Sequence, residues 1–170
     1  METPSDNPVF RNHLDIADFV KRRVHECYWR DNINCATANL KILSEVFQIN
    51  LSSDLIDAAV GMHGAGKYGA QCGLVEGSLM FIGVLGRRLD VTDSTIASFC
   101  KDFAGQFVHR FGSLSGEILR PEGFGPDNPP HLCEKLTCEV ICFAINAIAN
   151  YYYKLRNLLT IPRYSSSFDP

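Results

Sequence analysis

Seven cysteines are the residues of this chain best suited to chemistry, and two of them stand where a helix is expected to begin. They occupy positions 27, 35, 72, 100, 133, 138 and 142. Cys72 follows a glycine-rich stretch and precedes a helical pattern, and Cys35 follows Asn34 in the same way. A helix N-terminus stabilises a thiolate and lowers the pKa of the cysteine there. We therefore expect Cys72, whose sulfur Gly73 leaves open, to be reactive, with Cys35 as a second candidate. The alternative is a buried cysteine packed beside glycine.

Three further cysteines share the last helical pattern but lack the spacing of a metal motif. At about 100° per residue, Cys138 and Cys142 lie on one face of this helix, whereas Cys133 is turned by about 140° from Cys138. The sequence has no Cys-x2-Cys pair of the kind found in zinc and iron–sulfur sites. Any metal site must therefore draw its ligands from several helices. Cys27 and Cys100 lie within helical patterns and are expected to be structural.

The glycine-rich stretch before Cys72 resembles phosphate-binding motifs without their context. Residues 64–69 fit G-x-G-x-x-G, and residues 61–68 come close to a phosphate loop. Both motifs require a preceding β-strand, whereas a helical pattern precedes this stretch, so a nucleotide site is disfavoured. His63 is a candidate ligand or acid–base group, with a packed histidine as the alternative. Glu76, one turn past Cys72, is a candidate to orient a proton or a solvated side chain.

The order and spacing of four segments between residues 30 and 145 resemble a known family. They are Asn34-Cys35-Ala36, the stretch leading into Cys72-Gly73-Leu74-Val75-Glu76-Gly77, the phrase from Phe111 to Glu117, and His131-Leu132-Cys133. The chain is similar to the family labelled C_GCAxxG_C_C, small helical proteins with four characteristic cysteines, whose redox role is inferred from those cysteines. Family members are said to occur near transporter genes, which implies association with a transporter.

The resemblance carries three of the four cysteines to this chain. Cys35, Cys72 and Cys133 match, Leu74 replaces the alanine of the motif, and Gly116 stands where the third cysteine aligns. A four-cysteine metal site would then need Cys138 or His63 to complete it. A dithiol pair does not need the fourth sulfur.

Three functions remain open at this point. The first is a thiol redox or electron-transfer protein, with Cys72 as the exposed thiolate and Cys35 or Cys133 as its resolving partner. The second is a metal-, iron–sulfur- or haem-binding module, zinc being one candidate ion. Its ligands would come from Cys35, Cys72, Cys133, Cys138 and His63. The third is a non-enzymatic helical binding protein with a degenerate cysteine site. The cofactor and the redox partner are left unspecified.

The elements that position these residues are predicted to be helices throughout. Apolar residues recur at three- and four-residue steps, and no alternating strand pattern is present. We predict an all-α, single-domain bundle (residues 1–170) of five to six helices with a Gly-rich central loop. Residues 1–11 are expected to be a loose leader and residues 162–170 a frayed tail. The helices are expected near residues 12–30, 34–50, 55–62, 72–85, 94–110 and 129–159, with a turn at 115–119.

The composition of the chain bears on which partners it binds and in which cellular compartment it is expected. The net charge of −3 argues against a nucleic-acid partner. The longest apolar run, residues 140–149, is about half of a membrane span, and no signal peptide is visible, so a cytoplasmic protein is expected. The tyrosines at 151, 152 and 153 face several directions on a helix. One of them can face a pocket or a partner subunit, which makes a homodimer an option, although core packing is the default.

Overall fold

The chain forms a helical bundle in this computed structural model, which describes residues 13–120 and 129–160. The predicted leader and tail, residues 1–11 and 162–170, lie outside the described residues. The helices are α1 His13–His25, α2 Cys35–Phe47, α3 Ser53–Ala58, α4 Gly64–Lys67, α5 Gly73–Arg88, α6 Asp93–Phe111, α7 Gly116–Leu119 and α8 Glu134–Thr160. Within the described ranges the only β feature is one isolated bridge, so the predicted all-α class is confirmed.

Local capping signals explain where several helices begin and end. The side chain of Asn34 accepts a hydrogen bond from Thr37 N at 3.0 Å at the start of α2. Ser52 caps α3 in the same way through Leu55 N. Gly112, with φ of 87°, ends α6 in the left-handed conformation that glycine adopts without strain. Of these, the start of α2 directly after Asn34 confirms the helix start predicted there.

Two predicted helices are continued by tighter or wider turns. A π-helical turn, Glu26–Arg30, extends α1, and a 3-10 turn, Ala59–Gly61, extends α3. The predicted Gly-rich loop follows α3 and contains a single short helix, α4. Inside α4, Ala65 and Gly66 have left-handed backbone angles, with φ of 52° and 65°. The stretch between α3 and α5 is thus mostly turn, as the glycines predict.

Helices α2 and α5 run parallel at the centre of the bundle. Near their N-termini, the buried amide of Asn39 donates to the carbonyl of Leu74 at 2.7 Å and to Ser78 Oγ at 2.8 Å. Near their C-termini, the rings of Phe47 and Phe81 pack with centroids 5.4 Å apart. Because the helices are parallel, the N-terminus of α2 lies beside the N-terminus of α5. This arrangement brings Cys35 towards Cys72.

The apolar stripes predicted for α6 and α8 are largely buried. Phe103 and Phe107 of α6 are fully buried, whereas Val108 of the same helix is 41 % exposed. Val140 and Ile141, in the longest apolar run of the sequence, are fully buried within α8. No helix in the described part of the chain combines the length and apolarity that a membrane crossing requires.

Candidate functional site

Two cysteines stand at the N-termini of the parallel helices α2 and α5. Cys35 is the first residue of α2, directly after the cap residue Asn34. Cys72 is the N-cap of α5 and has extended backbone angles, with φ of −62° and ψ of 132°. The predicted position of both cysteines is therefore confirmed. Unpaired N–H groups and the helix dipole give each position a favourable potential for negative charge.

Two glycines of α5 let its N-terminus approach that of α2. A Cβ atom added to Gly73 would lie 2.6 Å from Cys35 Sγ and 3.1 Å from Ala36 N. One added to Gly77 would lie 2.8 Å from the carbonyl oxygen of Ala36. A side chain at either position would therefore push α2 and α5 apart. Gly83 differs, because a Cβ added there would meet no described atom within 4 Å.

A short antiparallel pairing fixes the backbone around Cys72. The N–H of Cys72 donates to the carbonyl of Leu114 at 2.8 Å, and the N–H of Gly116 donates to that of Ala70 at 2.7 Å. The isolated β-bridge lies between these two hydrogen bonds. The pairing holds Gly116 beside Cys72. The position at which the resemblance aligns a third cysteine is therefore part of this site, and it supplies no sulfur.

Cys133 brings a third thiol from the turn that leads into α8. It is the last residue of the 3-10 turn Pro130–Cys133 and is buried. Cys35, Cys72 and Cys133 line one cavity of about 20 Å³, together with Gly116. That volume is enough for about one water molecule. We call these three cysteines and the small cavity the thiol site.

A larger cavity of about 460 Å³ adjoins the thiol site. Cys35 and Cys133 line both cavities, whereas Cys72 lines only the smaller one. The volume lies within the range of small-molecule sites. A small molecule in the larger cavity can therefore reach Cys35 or Cys133, and Cys72 lies behind them. This differs from the predicted arrangement, in which Cys72 was the exposed thiol.

Burial reverses the effect expected from the helix position of Cys72. The residue is only 7 % exposed, and its side chain makes no regular capping hydrogen bond. Burial raises the pKa of Cys72 to about 11, although the N–H groups of Leu74 and Val75 and the Arg120 guanidinium favour the thiolate. The predicted lowering of this pKa is wrong, because the loss of water outweighs the helix terminus.

The other two thiols are shifted in the same direction. Burial raises the pKa of Cys35, and the neighbouring Cys72 and Cys133 add to the increase. Burial also raises the pKa of Cys133, but there Arg120 opposes it. Since each thiolate disfavours the next, the site holds one thiolate more readily than two. Cys133 and Cys72 are the thiols whose negative charge Arg120 favours.

Arg120 is a cationic residue of the site that the sequence analysis missed. It directly follows α7, is half-buried and lines both cavities. Its guanidinium donates to the carbonyl oxygen of Pro129 at 3.0 Å. The sequence shows only a single arginine before a proline-rich loop. The backbone pairing between the Cys72 and Gly116 segments brings α7, and hence Arg120, to the thiols.

Tyr28 is a second residue of the site that the sequence analysis missed. Its side chain is 3 % exposed, and its hydroxyl lies 2.6 Å from Thr137 Oγ1. Burial raises the pKa of Tyr28, and the thiols of Cys35, Cys133 and Cys72 act in the same direction. The phenol is therefore a buried neighbour of the thiol site. Its position in the π-helical turn that extends α1 gave no sign of this.

His63 is placed with the thiols, whereas Glu76 is not. His63 lines both cavities, and its Nδ1 lies 2.8 Å from the carbonyl oxygen of Val60. A carbonyl oxygen only accepts, so Nδ1 carries the proton and Nε2 of the neutral ring is the acceptor. Nε2 of His63 can therefore accept a hydrogen bond from a group in either cavity. Glu76 lines neither cavity, and burial raises the pKa of its carboxyl group.

Cys138 lies away from the thiol site, with Cys142. Both line a groove of about 960 Å³, which we call the lateral groove, formed by α1, α8 and Arg110 of α6. Burial raises the pKa of Cys138 to about 11, and the negative charges of Cys142 and Glu134 add to the increase.

Metal ligation remains a prediction. Within residues 13–120 and 129–160, no group of three or more His, Cys, Asp or Glu side chains is arranged to hold a metal ion. Of the five ligands predicted from the sequence, four line the smaller cavity and Cys138 lies elsewhere. The four are Cys35, Cys72, Cys133 and His63.

Comparison with known proteins places this cysteine arrangement in one family. The model of a family described as "Putative redox-active protein (C_GCAxxG_C_C)" matches residues 33–147. The matched span includes all three cysteines of the thiol site, and also Gly116 and Arg120. No curated protein and no solved structure matches the chain.

Proposed function

The chain belongs to the C_GCAxxG_C_C family, whose description assigns it a redox role, and we propose that it exchanges thiols for disulfides at Cys133, Cys72 and Cys35. One observation carries the proposal: three cysteines from three separate elements line a single cavity of about 20 Å³. Disulfide exchange needs an attacking thiolate, a second thiol within reach and a path for the substrate. The larger cavity is that path.

Cys133 is the attacking thiol in this proposal. It lines the larger cavity, so a substrate disulfide can reach it without opening the bundle. Arg120 favours its thiolate, whereas the neighbouring thiolates disfavour that of Cys35. The thiolate is the nucleophile in exchange, so the cysteine beside the cation attacks first. His63, through Nε2, can accept the thiol proton.

Cys72 resolves the mixed disulfide. The Cys133 thiolate attacks one sulfur of the substrate disulfide, forms a new S–S bond and releases the first substrate thiol. Cys72 then attacks Cys133 Sγ, which releases the second substrate thiol. The protein loses two electrons and two protons, and the substrate disulfide gains them. Cys35 is the weaker resolving thiol because the neighbouring Cys72 and Cys133 both disfavour its thiolate, whereas Arg120 favours that of Cys72.

A titration of free thiols in redox buffers tests the proposal. The wild-type protein is expected to lose two thiols together, with a tenfold change in the equilibrium constant for about every 30 mV. In Cys72→Ser, the mixed disulfide on Cys133 should accumulate and appear in the mass spectrum. In Cys133→Ser, the reaction with substrate disulfide should slow by about a hundredfold or more.

Two other cysteine variants are the controls. Cys100→Ser and Cys138→Ser change thiols that lie outside the thiol site and should leave the titration unchanged. If no pair of thiols titrates, or if Cys100→Ser slows exchange as much as Cys133→Ser, the proposed function is wrong.

A further inference from the structure

The larger cavity beside the thiols has the lining of an anion site, and we propose that it binds small molecules that carry both a carboxylate and a disulfide. This inference rests on the proposed function, because it specifies the substrate of the same site. It adds a recognition element that thiol chemistry alone does not require.

The charges of the cavity lining are of one sign. Lys67 and Arg120 line it, and His63 lies between the cavity and the thiols. No Asp or Glu occurs among the described residues of the lining. The chain as a whole carries a net charge of −3, so this cationic lining opposes the overall charge. Among the described residues of the lining, a carboxylate that enters the cavity meets Lys67 and Arg120 and no acidic side chain.

A buried hydroxyl in the cavity wall points to a ligand independently. Thr37 lines the cavity and is only 4 % exposed. Its Oγ1 is buried and has no hydrogen-bond partner within the described ranges. Buried hydroxyl groups in proteins are nearly always hydrogen-bonded, and a carboxylate oxygen of a ligand would satisfy this one. Thr37 lies in the first turn of α2, where the helix dipole also favours an anion.

The size and the position of the cavity limit the ligand. A volume of about 460 Å³ accommodates a small molecule. Cys35 and Cys133 form part of the same wall, so a carboxylate held near Lys67, Thr37 and Arg120 would leave the rest of the molecule beside the thiols. The class that fits both features is a low-molecular-weight disulfide with carboxylate groups.

Binding is tested first without chemistry, using thiodipropionate. This dicarboxylate thioether cannot undergo exchange and should protect Cys133 from iodoacetamide in a saturable way. The isosteric Thr37→Val variant removes an unpartnered hydroxyl, so its free energy of unfolding should not fall, yet protection should require about tenfold more thiodipropionate. Lys67→Gln should weaken protection similarly, whereas Lys101→Gln, an exposed lysine on α6, should not.

Oxidation rates then test the substrate class. Dithiodipropionate carries two negative charges, bis(hydroxyethyl) disulfide none, and cystamine two positive charges. We expect the dianion to oxidise the reduced protein about tenfold faster than the neutral reagent and faster still than cystamine. The net charge of the protein alone would produce the opposite order. Lys67→Gln should reduce the preference.

The outcomes separate the two proposals. Cystamine reacting as fast as dithiodipropionate, or thiodipropionate giving no protection, overturns the anion site and leaves the redox function intact. Protection by thiodipropionate without oxidation by any of the three disulfides supports the anion site and overturns the redox function. Equal loss of protection in Lys101→Gln and Lys67→Gln also contradicts the site, since only Lys67 lines the cavity.

Discussion

The thiol site and the lateral groove both contain closely spaced cysteines, but the fold treats them differently. Cys35 and Cys72 stand at two helix N-termini, next to Arg120 and His63. Cys138 and Cys142 lie four residues apart on the side of one helix, where Glu134 and Glu139 surround them. Burial raises the pKa of cysteines in both places. Each region has a cation near one of its thiols, but of the two regions only the thiol site also has helix N-termini that favour the thiolate.

The difference shows that the position of a cysteine, and not the number of cysteines, determines what it can do. Neighbouring Cβ atoms four residues apart on a helix are about 5–6 Å apart, too far for the roughly 3.5–4.5 Å of a disulfide. Cys138 and Cys142 therefore cannot pair while α8 stays helical. Cysteines on separate elements have no such restriction, because side chains from different helices can approach from opposite sides.

The largest expected effect is on the free energy of unfolding, when a methyl group is added to α5 at either of two glycines in separate variants. Gly73→Ala places a Cβ against Cys35 Sγ, Ala36 N and the Cα of His63, two of which are backbone atoms. We expect the free energy of unfolding to fall by about 2 kcal/mol through overpacking. The same change at Gly83, which has open space, should raise it by about 1 kcal/mol through helix propensity.

Urea denaturation of both variants measures this difference. Both substitutions add the same methyl group to one helix. Helix propensity favours the change at Gly83, inside α5, more than at Gly73, its first residue, so propensity acts in the same direction as the expected difference. Equal stability of Gly73→Ala and Gly83→Ala would show that α2 and α5 do not meet as closely as the thiol site requires.

The second prediction concerns alkaline pH. The folded state keeps the proton of Cys72 up to a pKa of about 11, whereas an unfolded chain releases it near the ordinary value of 9.0. Between these values the unfolded state binds fewer protons, so the free energy of unfolding falls as pH rises, by at most about 1.4 kcal/mol per pH unit. The contribution is fully present below pH 9.

Cys72→Ala should make this decline shallower, and denaturation at a series of pH values from about 8 to 11 measures it. The expected change by pH 11 is about 2 kcal/mol. Cys138→Ala should change the slope less, because Cys138 is half-exposed and part of its shift comes from screened surface charges. A steeper decline in Cys72→Ala than in the wild type would contradict the burial of this thiol.

Local signals in the sequence predict the two helix N-termini of the thiol site, but not the direction in which the pKa of Cys72 shifts. Asn34 before Cys35, and the glycines around Cys72, indicate two helix N-termini because capping and glycine conformation depend on a few neighbouring residues. The burial of Cys72 depends on how α2 packs on α5, and the sequence does not show which N-termini lie together. The predicted direction of the Cys72 pKa was wrong for that reason.

The same limit explains the residues that were missed. Arg120 reaches the thiols through a backbone pairing between distant segments, and Tyr28 through the packing of α1. Neither residue has a local pattern that distinguishes it from a surface arginine or a core tyrosine. Gly116 was found only through the resemblance to the family, and its position in the cavity lining supports that alignment.

The third prediction removes one cation from each of the two regions. Arg120 lowers the pKa of Cys133, and Lys21 lowers that of Cys138. Arg120→Gln should therefore slow the reaction of Cys133 with iodoacetamide at pH 8 by about threefold to tenfold, since a tenfold smaller thiolate fraction corresponds to one pKa unit. Lys21→Gln should slow Cys138 and not Cys133. Peptide mass spectrometry measures both rates, and equal slowing at both cysteines in either variant would contradict the separation of the two regions.

The smallest expected effect is a difference in the sign of the salt dependence. Raising the ionic strength from about 0.01 M to about 1 M shortens the Debye length from about 30 Å to about 3 Å. Screening weakens the attraction between Arg120 and Cys133, so the alkylation of Cys133 by neutral iodoacetamide should slow about twofold. At Cys138 the acidic neighbours Glu134 and Glu139 outweigh Lys21, so screening all three charges should make its alkylation faster by a similar factor. Because one sample contains both cysteines, any general effect of salt on iodoacetamide cancels in the ratio of the two rates. A ratio that does not change with salt would mean that neighbouring charges do not distinguish the thiol site from the lateral groove, and that burial alone controls both.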